Sequence, residues 1–399
     1  MSTLRHPPRI YEWLFRHVLQ NRLVLRVVDA ERAHRLALAT LRAWGFVPGA
    51  RALTDRLLRP PKALRVEVLD LCFRSPLGVA AGMDKDAKVF DLLAALGFGS
   101  VEVGTSTNHR QPGRPGTRIW RLPDRALLNA MGFPNQGSEM HARRLARRRT
   151  TDVIGVNIGK SKKVPLEEAT ADYRAATRKL AAYADYLAIN VSSPNTPGLR
   201  SMQTVDVLVE LVNGVRDELR KMSRSLPVLV KLGPDLPDAE IRAIAAAASL
   251  MKVNGIIAVN TTTNYDSVPT CRAAVEANGG EGGVSGRPLK GRATEVLALL
   301  RESAGGLPLI SVGGIEDADD AWTRILAGAT LVQAHTGFVY GGPLWPYRLN
   351  RDLAAKLDQS PYATIADAVG KGIDAVAGST SESSSSGAEH VGSHATTVA

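Results

Sequence analysis

Two lysines in this sequence stand where a positive charge is costly. Lys85 and Lys231 each come at the end of a short apolar run, and a buried ammonium group needs a partner of opposite charge. No matching pair of carboxylates stands at the ends of the other apolar runs, so the sequence predicts an anionic ligand beside these lysines. The alternative is that both side chains reach solvent along their aliphatic stems and bind nothing.

Asparagines form the second group of candidate binding residues. Asn129, Asn190, Asn195 and Asn260 all fall at or near the ends of apolar runs. An amide side chain offers donors and an acceptor together, which suits a ligand with alternating N–H and C=O groups, such as a pyrimidinedione. One asparagine is usually a turn residue, so this prediction depends on the four converging at one place.

Eight short apolar runs are the elements that would bring these residues together. They are rich in Val, Ile, Leu and Ala and lack polar alternation, which is typical of strands buried on both faces of a parallel sheet. Helical stretches such as 84–96, 169–183 and 237–251 separate them. Eight β–α repeats indicate an α/β protein with a closed (β/α)₈ TIM barrel, in which active-site residues lie at the carboxyl ends of the strands. The runs are 77–80, 100–103, 153–157, 186–190, 228–231, 255–260, 309–312 and 331–334.

Small residues follow several of these runs. Gly313 and Gly314 come after the seventh run, and Thr336 and Gly337 come after the eighth. Loops after strands 7 and 8 of such barrels often bind phosphate through backbone N–H groups, although a Gly-Gly pair alone can be only a tight turn. Residues 80–82 would let a flat ring approach the backbone closely. A pair of short runs before the barrel, 66–68 and 71–73, predicts a hairpin that plugs its amino-terminal end.

Residues 1–62 carry most of the excess positive charge. They hold twelve Lys/Arg and four Asp/Glu, in a chain whose formal net charge is +11. Apolar periodicity predicts one helix over 9–20 and a second that begins after Asp29, as its N-cap, and ends at Gly45. Basic amphipathic helices with aromatic residues favour a membrane interface. On charge alone, nucleic acid or a merely solvated surface are alternatives, and so is a helical cap docked on the barrel.

Other features narrow the class of protein. The two cysteines, Cys72 and Cys271, predict neither a disulfide framework nor a metal site, and we expect both to be reduced core residues. No apolar run reaches the ~18 residues that span a bilayer, and no signal-peptide pattern begins the chain. We therefore expect a basic helical extension over 1–62, a barrel over 63–358, and a C-terminal extension over 359–399 that is disordered from about residue 378.

Several strings resemble those of the class 2, quinone-dependent dihydroorotate dehydrogenases. The most specific is NVSSPNTPGLR at 190–200, and GVAAGMDK at 78–85, MGF at 131–133, GVSGRPL at 283–289 and DAERAH at 29–34 support it. The resemblance covers residues ~10 to ~350. It implies a (β/α)₈ barrel with an N-terminal helical extension, FMN as the cofactor, and oxidation of dihydroorotate to orotate in pyrimidine (UMP) biosynthesis.

The resemblance also implies roles for individual residues. Ser193 would be the catalytic base, and Thr196, three residues on, is a candidate proton relay. Substrate contacts would come from Lys85, Asn129, Gly132, Phe133, Asn190, Asn195, Asn260 and Thr261. Flavin contacts would come from Ala81, Gly82, Thr105, Asn157, Asn190, Lys231, Val259, Gly286, Gly314, His335 and Thr336.

The chemistry that the resemblance implies accounts for these residue types. Oxidation removes a proton from C5 of dihydroorotate and a hydride from C6. Enolate-like charge on the substrate needs preorganised donors, which the asparagines and Lys85 would supply. Lys231 would stabilise negative charge on the reduced flavin. A serine hydroxyl is a poor base at its ordinary pKa, so Ser193 needs a path for its proton.

The base also separates the subclasses of this family. Class 1 relatives are soluble, lack the N-terminal extension and use cysteine as the base. Ser193 together with a basic extension therefore indicates class 2, in which the two helices form a tunnel that leads a membrane quinone to the flavin. We accordingly expect a monomer bound peripherally to the cytoplasmic side of the cell membrane, without nucleic acid as a partner.

Four residues depart from the family pattern. Ala130 stands where Arg is common, and Pro134 follows Phe133 where a polar residue is usual. Val259 replaces a frequent Thr beside the flavin, which would keep a backbone contact and lose a hydroxyl contact. His335 replaces a usual Tyr near the phosphate, where it would hydrogen-bond or add positive charge.

Two other functions remain open from the sequence. A soluble enzyme of the class 1 type would use fumarate or NAD, work without quinone and tolerate deletion of residues 1–62. A barrel that binds a phosphorylated ligand without redox chemistry would be colourless when purified.

Overall fold

The computed structural model describes residues 29–372 of the 399-residue chain. The strands are β1 (Val66–Val68), β2 (Leu71–Phe73), β3 (Leu77–Val79), β4 (Ser100–Thr107), β5 (Ile119–Leu122), β6 (Ala126–Asn129), β7 (Val153–Gly159), β8 (Tyr186–Asn190), β9 (Val228–Leu232), β10 (Gly255–Ala258), β11 (Gly283–Gly286), β12 (Leu309–Val312) and β13 (Leu331–Ala334). The helices are α1 (Ala30–Trp44), α2 (Ala50–Leu58), α3 (Phe90–Ala95), α4 (Ser138–Leu145), α5 (Ala169–Leu180), α6 (Val205–Lys221), α7 (Asp238–Ala246), α8 (Ala248–Met251), α9 (Pro269–Ala277), α10 (Lys290–Ser303), α11 (Ala318–Leu326), α12 (Thr336–Gly341), α13 (Trp345–Asp358) and α14 (Ile365–Ala368).

The predicted (β/α)₈ barrel is confirmed. Eight parallel strands pair in the closed order β10-β12-β13-β3-β4-β7-β8-β9. They are the eight apolar runs of the sequence, although β4 and β7 continue to Thr107 and Gly159 and β10 already ends at Ala258. Every residue of β7, β8 and β9 is buried, as strands covered on both faces require. The carboxyl ends of all eight strands therefore open on one face, where the candidate residues follow them.

A second, three-stranded antiparallel sheet was not predicted. It has the order β11-β6-β5, and a small apolar cluster that includes Leu122, Leu128 and Val284 lies beneath it. Two of its strands lie between β4 and β7 in the chain and the third lies between β10 and β12, so its pairing is long-range. Asn129 at the end of β6 is opposite Gly283 of β11, which fixes the position of this asparagine at the barrel mouth.

The predicted hairpin is present, since β1 and β2 pair antiparallel. The helix predicted over 84–96 begins only at Phe90. The reason is local: the Asp84 carboxylate accepts hydrogen bonds from the backbone N–H groups of Lys88 (2.8 Å) and Val89 (2.7 Å), which holds residues 84–89 in turns. The helix predicted over 237–251 is divided at Ala247 into α7 and α8.

The second N-terminal helix begins where predicted. The Asp29 carboxylate accepts a hydrogen bond from Arg32 N at 2.9 Å and caps α1. Gly45 ends α1 in a right-handed conformation (φ −67°) and not in the left-handed one that favours glycine. The helix predicted over 9–20 and the tail from residue 378 lie outside the described residues.

Ion pairs join the two N-terminal helices to the barrel. Glu31 of α1 makes a bidentate pair with Arg118 (Oε1–Nη2 2.8 Å, Oε2–Nε 3.0 Å). Arg74 joins Asp55 of α2 (2.6 Å) to Asp152 just before β7 (2.6 Å). The helices are therefore docked on the barrel while their outer surfaces stay in solvent.

The two cysteines lie in different environments. Cys271 is buried as predicted, but Cys72 is exposed because it lies on the outer side of the β1–β2 hairpin, so the expectation of a core residue was wrong there. Within residues 29–372, no helix combines the length and the apolar composition that crossing a membrane requires. The same residues contain no cluster of His, Cys, Asp or Glu arranged to hold a metal ion.

Candidate active site

One large cavity of about 1050 Å³ connects the carboxyl ends of the barrel strands with helix α1. On the barrel side its walls include Lys85, Asn190 and Ser193, and on the helix side they include Ala37 and Leu41. The cavity is therefore polar where the strands end and apolar where the helix covers it, so that two different ligands could meet inside it.

The structure brings nearly all the predicted site residues to this cavity. Asn157 and Thr196 lie behind its wall and do not line it. The residues that do are Ala81, Gly82, Lys85, Thr105, Asn129, Gly132, Phe133, Asn190, Ser193, Asn195, Lys231, Val259, Asn260, Thr261, Gly286, Gly314, His335 and Thr336.

The asparagines form a hydrogen-bonded group at the mouth. Asn195 Nδ2 donates to both Asn129 O and Asn129 Oδ1 at 3.1 Å. Asn260 Nδ2 donates to Ser192 Oγ at 3.1 Å. These contacts hold the amides in fixed orientations. A site that forms specific hydrogen bonds with the edges of a planar ring needs such fixed amides.

Ser193 lies on the loop that follows β8, and its hydroxyl accepts a hydrogen bond from Asn195 N at 3.3 Å. Arg200 holds this loop in place, because its guanidinium donates to Ser192 O (3.2 Å) and Thr261 O (2.7 Å) and pairs with Asp235 (2.7 Å). Sequence reasoning did not assign Arg200 a role, although it ends the most specific string. Within the described part of the chain, Thr196 Oγ1 is buried without a hydrogen-bond partner, so a relay through Thr196 stays a prediction.

Lys231 has a carboxylate partner within the protein, so the expectation that neither lysine has one was wrong for this residue. Its Nζ lies 3.7 Å from Glu102 Oε1, inside the barrel. Glu102 is the third residue of β4 and is completely buried. The signal was visible in the sequence, because a glutamate interrupts an otherwise apolar run, but its distance from residue 231 along the chain concealed the pairing.

Asn157 acts from behind the cavity wall. Its Oδ1 accepts hydrogen bonds from Thr105 Oγ1 (2.6 Å) and Asn190 Nδ2 (3.1 Å), and its Nδ2 donates to Glu102 (2.8 Å). In this structure Asn157 thus orients two residues that line the cavity and does not line it itself.

Lys85 stands where the mouth meets α1. Its Nζ donates to Gly82 O at 2.6 Å. Burial lowers the pKa of Lys85 to about 8, while the negative charge of Glu31 on α1 acts in the opposite direction. The protonation of this lysine is therefore linked to the N-terminal helix.

His335 faces the same junction and is neutral. Burial, followed by the nearby charge of Lys85, lowers the pKa of His335 to about 3. The same two causes, with His335 itself, hold the pKa of His34 on α1 well below its usual range. This direction favours hydrogen bonding over added positive charge for His335, and both roles stay predictions.

The opposite side of the mouth is formed by glycine turns. Gly286, Gly313 and Gly314 have φ values of 103°, 115° and 73°, which favour glycine. A Cβ on Gly314 would lie 2.6 Å from Lys290 Cα. Buried Arg324, which the sequence reasoning missed, braces this turn by donating to Gly313 O (2.9 Å) and Lys290 O (2.8 Å).

Comparisons with known proteins agree with this arrangement. A sequence model of the family described as dihydroorotate dehydrogenase matches residues 63–357. A Thermobifida fusca protein named dihydroorotate dehydrogenase (quinone) is 50% identical over 92% of this chain and 97% of its own length. A Mycobacterium tuberculosis protein of the same name is 47% identical over 88% of this chain and 96% of its own.

Solved structures agree as well. The crystal structure of the Eimeria tenella enzyme DHODH in complex with ferulenol superimposes with a TM-score of 0.79 at 34% identity, covering 86% of this chain and 95% of that one. The ligand-free form of that enzyme gives 0.78 at 34% identity, with 86% and 99% coverage. By sequence and by fold, this chain belongs to the dihydroorotate dehydrogenase family.

Proposed function

We propose that this protein is a quinone-dependent dihydroorotate dehydrogenase that oxidises dihydroorotate to orotate through FMN in pyrimidine biosynthesis. The observation that carries the proposal is the single cavity in which Ser193, Lys85 and four asparagines stand at one side and the apolar face of α1 at the other. The names of the bacterial relatives support the quinone as acceptor.

The residues present fit FMN. Gly286, Gly313 and Gly314 line the cavity in turns of positive φ, where a Cβ would crowd or collide with neighbouring protein atoms. The chain therefore presents bare backbone to the cavity there, which suits a phosphate held by backbone N–H groups. Thr336 Oγ1 lies beside them, 2.8 Å from Ser285 Oγ. Lys231, Asn190 and Thr105 would hold the ring. When bound, FMN supplies an acceptor for the hydride that leaves C6 of the substrate.

Substrate binding would depend on the polar side of the cavity. The Asn129, Asn195 and Asn260 amides offer donors and acceptors to the pyrimidine edges, and Lys85 offers a cation to the substrate carboxylate. Ser193 would take the proton from C5. Thr196 Oγ1, which is buried without a hydrogen-bond partner among the described residues, would be the next group to receive that proton.

The quinone would enter along α1. Ala33, Ala37, Leu38 and Leu41 line the cavity from this helix and give it an apolar wall that suits a hydrophobic ring. His34 and His335 line the same cavity, and burial lowers the pKa of both. Neutral imidazoles there can donate or accept a hydrogen bond without placing a charge in an apolar channel.

Exposed residues on the N-terminal helices and on the turn between them support a membrane contact. Leu36, Phe46, Val47, Leu53 and Leu57 are each about half exposed or more, and arginines stand among them. Such a surface favours an anionic bilayer. We propose that the protein is a monomer bound peripherally to the cytoplasmic side of the cell membrane, with residues 1–62 as the membrane unit, 63–358 as the barrel and 359–399 as a C-terminal extension.

An anaerobic titration tests the proposal. Purified protein is expected to show a flavin spectrum, to be bleached by dihydroorotate and to recover its colour when a short-chain quinone is added. A colourless protein would contradict the proposal and would favour a barrel without redox chemistry. Bleaching by dihydroorotate with recovery by fumarate or NAD, and not by quinone, would place the enzyme with the class 1 type.

A further inference from the structure

Glu102 is a buried charge that the proposed chemistry does not use. It lies in β4 inside the barrel and has no exposed surface. Taking a carboxylate out of water costs several kcal/mol unless hydrogen bonds and an opposite charge compensate for it. Apolar residues could fill the barrel interior at a lower cost in free energy, so we expect this carboxylate to have a function.

Every contact of the Glu102 carboxylate is with a donor. Oε1 accepts from Asn157 Nδ2 at 2.8 Å and lies 3.7 Å from Lys231 Nζ. Oε2 accepts from Tyr186 OH at 3.1 Å and from Gln333 Nε2 at 3.0 Å. The Lys231 ammonium group and the donors on both oxygens compensate for the burial of this carboxylate.

Two of these partners connect Glu102 to the cofactor side of the cavity. Lys231 lines the cavity, and its ammonium group is the one cation that faces Glu102 among the described residues. Asn157 orients the side chains of Thr105 and Asn190, which also line it. A change at Glu102 would therefore reach three residues that the proposed function places around the flavin.

The charge of Glu102 opposes that of Lys231. A cation beside the flavin stabilises its reduced form, which carries more negative charge. A carboxylate 3.7 Å behind the cation reduces the net positive potential in front of it, and in the low-dielectric barrel interior this effect is not screened by water.

We infer that Glu102 is a positioning residue that fixes the Lys231 ammonium group and Asn157 and holds the midpoint potential of the bound cofactor below the value that Lys231 alone would set. The inference rests on the proposed function. In the complete reaction dihydroorotate loses a proton from C5 and a hydride from C6, and the quinone gains two electrons and two protons. An intermediate midpoint potential allows both half-reactions to proceed. A higher potential would favour oxidation of dihydroorotate and would slow reduction of the quinone.

The test is the midpoint potential of FMN bound to the full-length Glu102→Gln variant, measured by anaerobic spectroelectrochemistry. The substitution keeps the shape and removes the charge. We expect the potential to rise by the equivalent of at least a ten-fold change in the reduction equilibrium, which is about 30 mV for a two-electron couple. Stopped-flow measurements should show the dihydroorotate half-reaction retained and the quinone half-reaction slowed.

A matched control separates charge from packing. Tyr186→Phe removes one hydrogen bond to the same carboxylate and leaves its charge, so its potential should change less than that of Glu102→Gln. If Glu102→Gln does not fold, Glu102→Asp keeps the charge but withdraws it from Lys231, and a smaller rise is expected.

Three results would overturn the inference. They are an unchanged potential in the variants, equal slowing of both half-reactions, and an equal shift in Tyr186→Phe. If the wild-type protein itself shows no flavin spectrum, the proposed function fails and the inference fails with it. A coloured, reducible wild type whose potential does not respond to residue 102 would contradict the inference alone.

Discussion

The barrel mouth and the N-terminal helices are built on opposite principles. Directly beneath the mouth, the buried side chains of Asn157 and Glu102 hold each other and the cavity-lining Thr105 by short hydrogen bonds. Helix α1 has no fully buried residue, and it is attached through the Glu31–Arg118 pair and the partly buried Leu38 and Leu41. A preorganised polar site suits chemistry on a fixed ring. A loosely attached amphipathic surface suits a hydrophobic ligand that arrives from a membrane.

The largest expected effect comes from removing the proposed base, Ser193, at the barrel mouth. Ser193→Ala should slow reduction of the flavin by dihydroorotate by about 10²–10⁴-fold, because general-base catalysis contributes that much. FMN binding and the quinone half-reaction should stay near the wild-type values. Stopped-flow absorbance under anaerobic conditions measures both half-reactions. Near-normal reduction by dihydroorotate would remove Ser193 as the base.

The helix side can be blocked separately. Ala37 lines the cavity from α1, so Ala37→Trp should fill the channel and raise the KM for quinone. Overpacking of a filled site costs about 1–3 kcal/mol, which corresponds to a loss of about 5-fold to 150-fold in affinity. The matched control is Ala39→Trp, two residues along the same helix and outside the cavity lining. Equal effects of the two variants, or a loss of dihydroorotate oxidation in Ala37→Trp, would contradict the separation of the two ligands.

Substitutions on the outer surface of the N-terminal helices and their connecting turn should change membrane binding and leave both half-reactions unchanged. Phe46 is 75% exposed, and burying a phenylalanine contributes about 1.5–3 kcal/mol when it is complete. Phe46→Ser should therefore weaken binding to vesicles of equal phosphatidylglycerol and phosphatidylcholine by about ten-fold, since the burial is partial. Cosedimentation measures this. Leu250→Ser, at an exposed leucine on α8, is the control and should have no effect; an equal loss in both variants would mean non-specific adsorption.

The smallest expected effect is a shift in the break of a pH profile, at the junction of the barrel mouth and α1. The anionic substrate needs protonated Lys85, whose pKa is lowered to about 8, so affinity for orotate should fall about ten-fold per pH unit above that value. Because the charge of Glu31 acts to raise this pKa, Glu31→Gln should move the break to lower pH. The dissociation constant of orotate, followed by flavin absorbance from pH 6 to 9.5, tests this.

Glu281→Gln provides the control for that pH profile. Glu281 pairs with Arg114 on the surface, and its loss should leave the break where it is in the wild type. A break that stays in place in Glu31→Gln would mean that the helix and the substrate lysine are not electrically linked.

The sequence predicted what depends on local pattern. Buried runs identified the barrel strands, and because strand ends meet at one face, the residues that follow them were placed together correctly. The Asp29 cap of α1 was equally local. The sequence did not predict contacts between segments that are distant in the chain. Examples are the pairing of strand β6 with β11 and the ion pair between Lys231 and Glu102. The irregular segment 84–89 was missed because one buried carboxylate, Asp84, competes there for the backbone N–H groups that a helix would use.

The most direct test of the account is a crystal structure of the flavin-loaded enzyme with orotate and a short quinone analogue. We predict orotate against the asparagines with the Ser193 hydroxyl at its C5, and the quinone analogue beneath α1 beside Ala37 and Leu41, on a different side of the same cofactor. Orotate bound with Ser193 turned away, or both ligands competing for one side of the cavity, would contradict it.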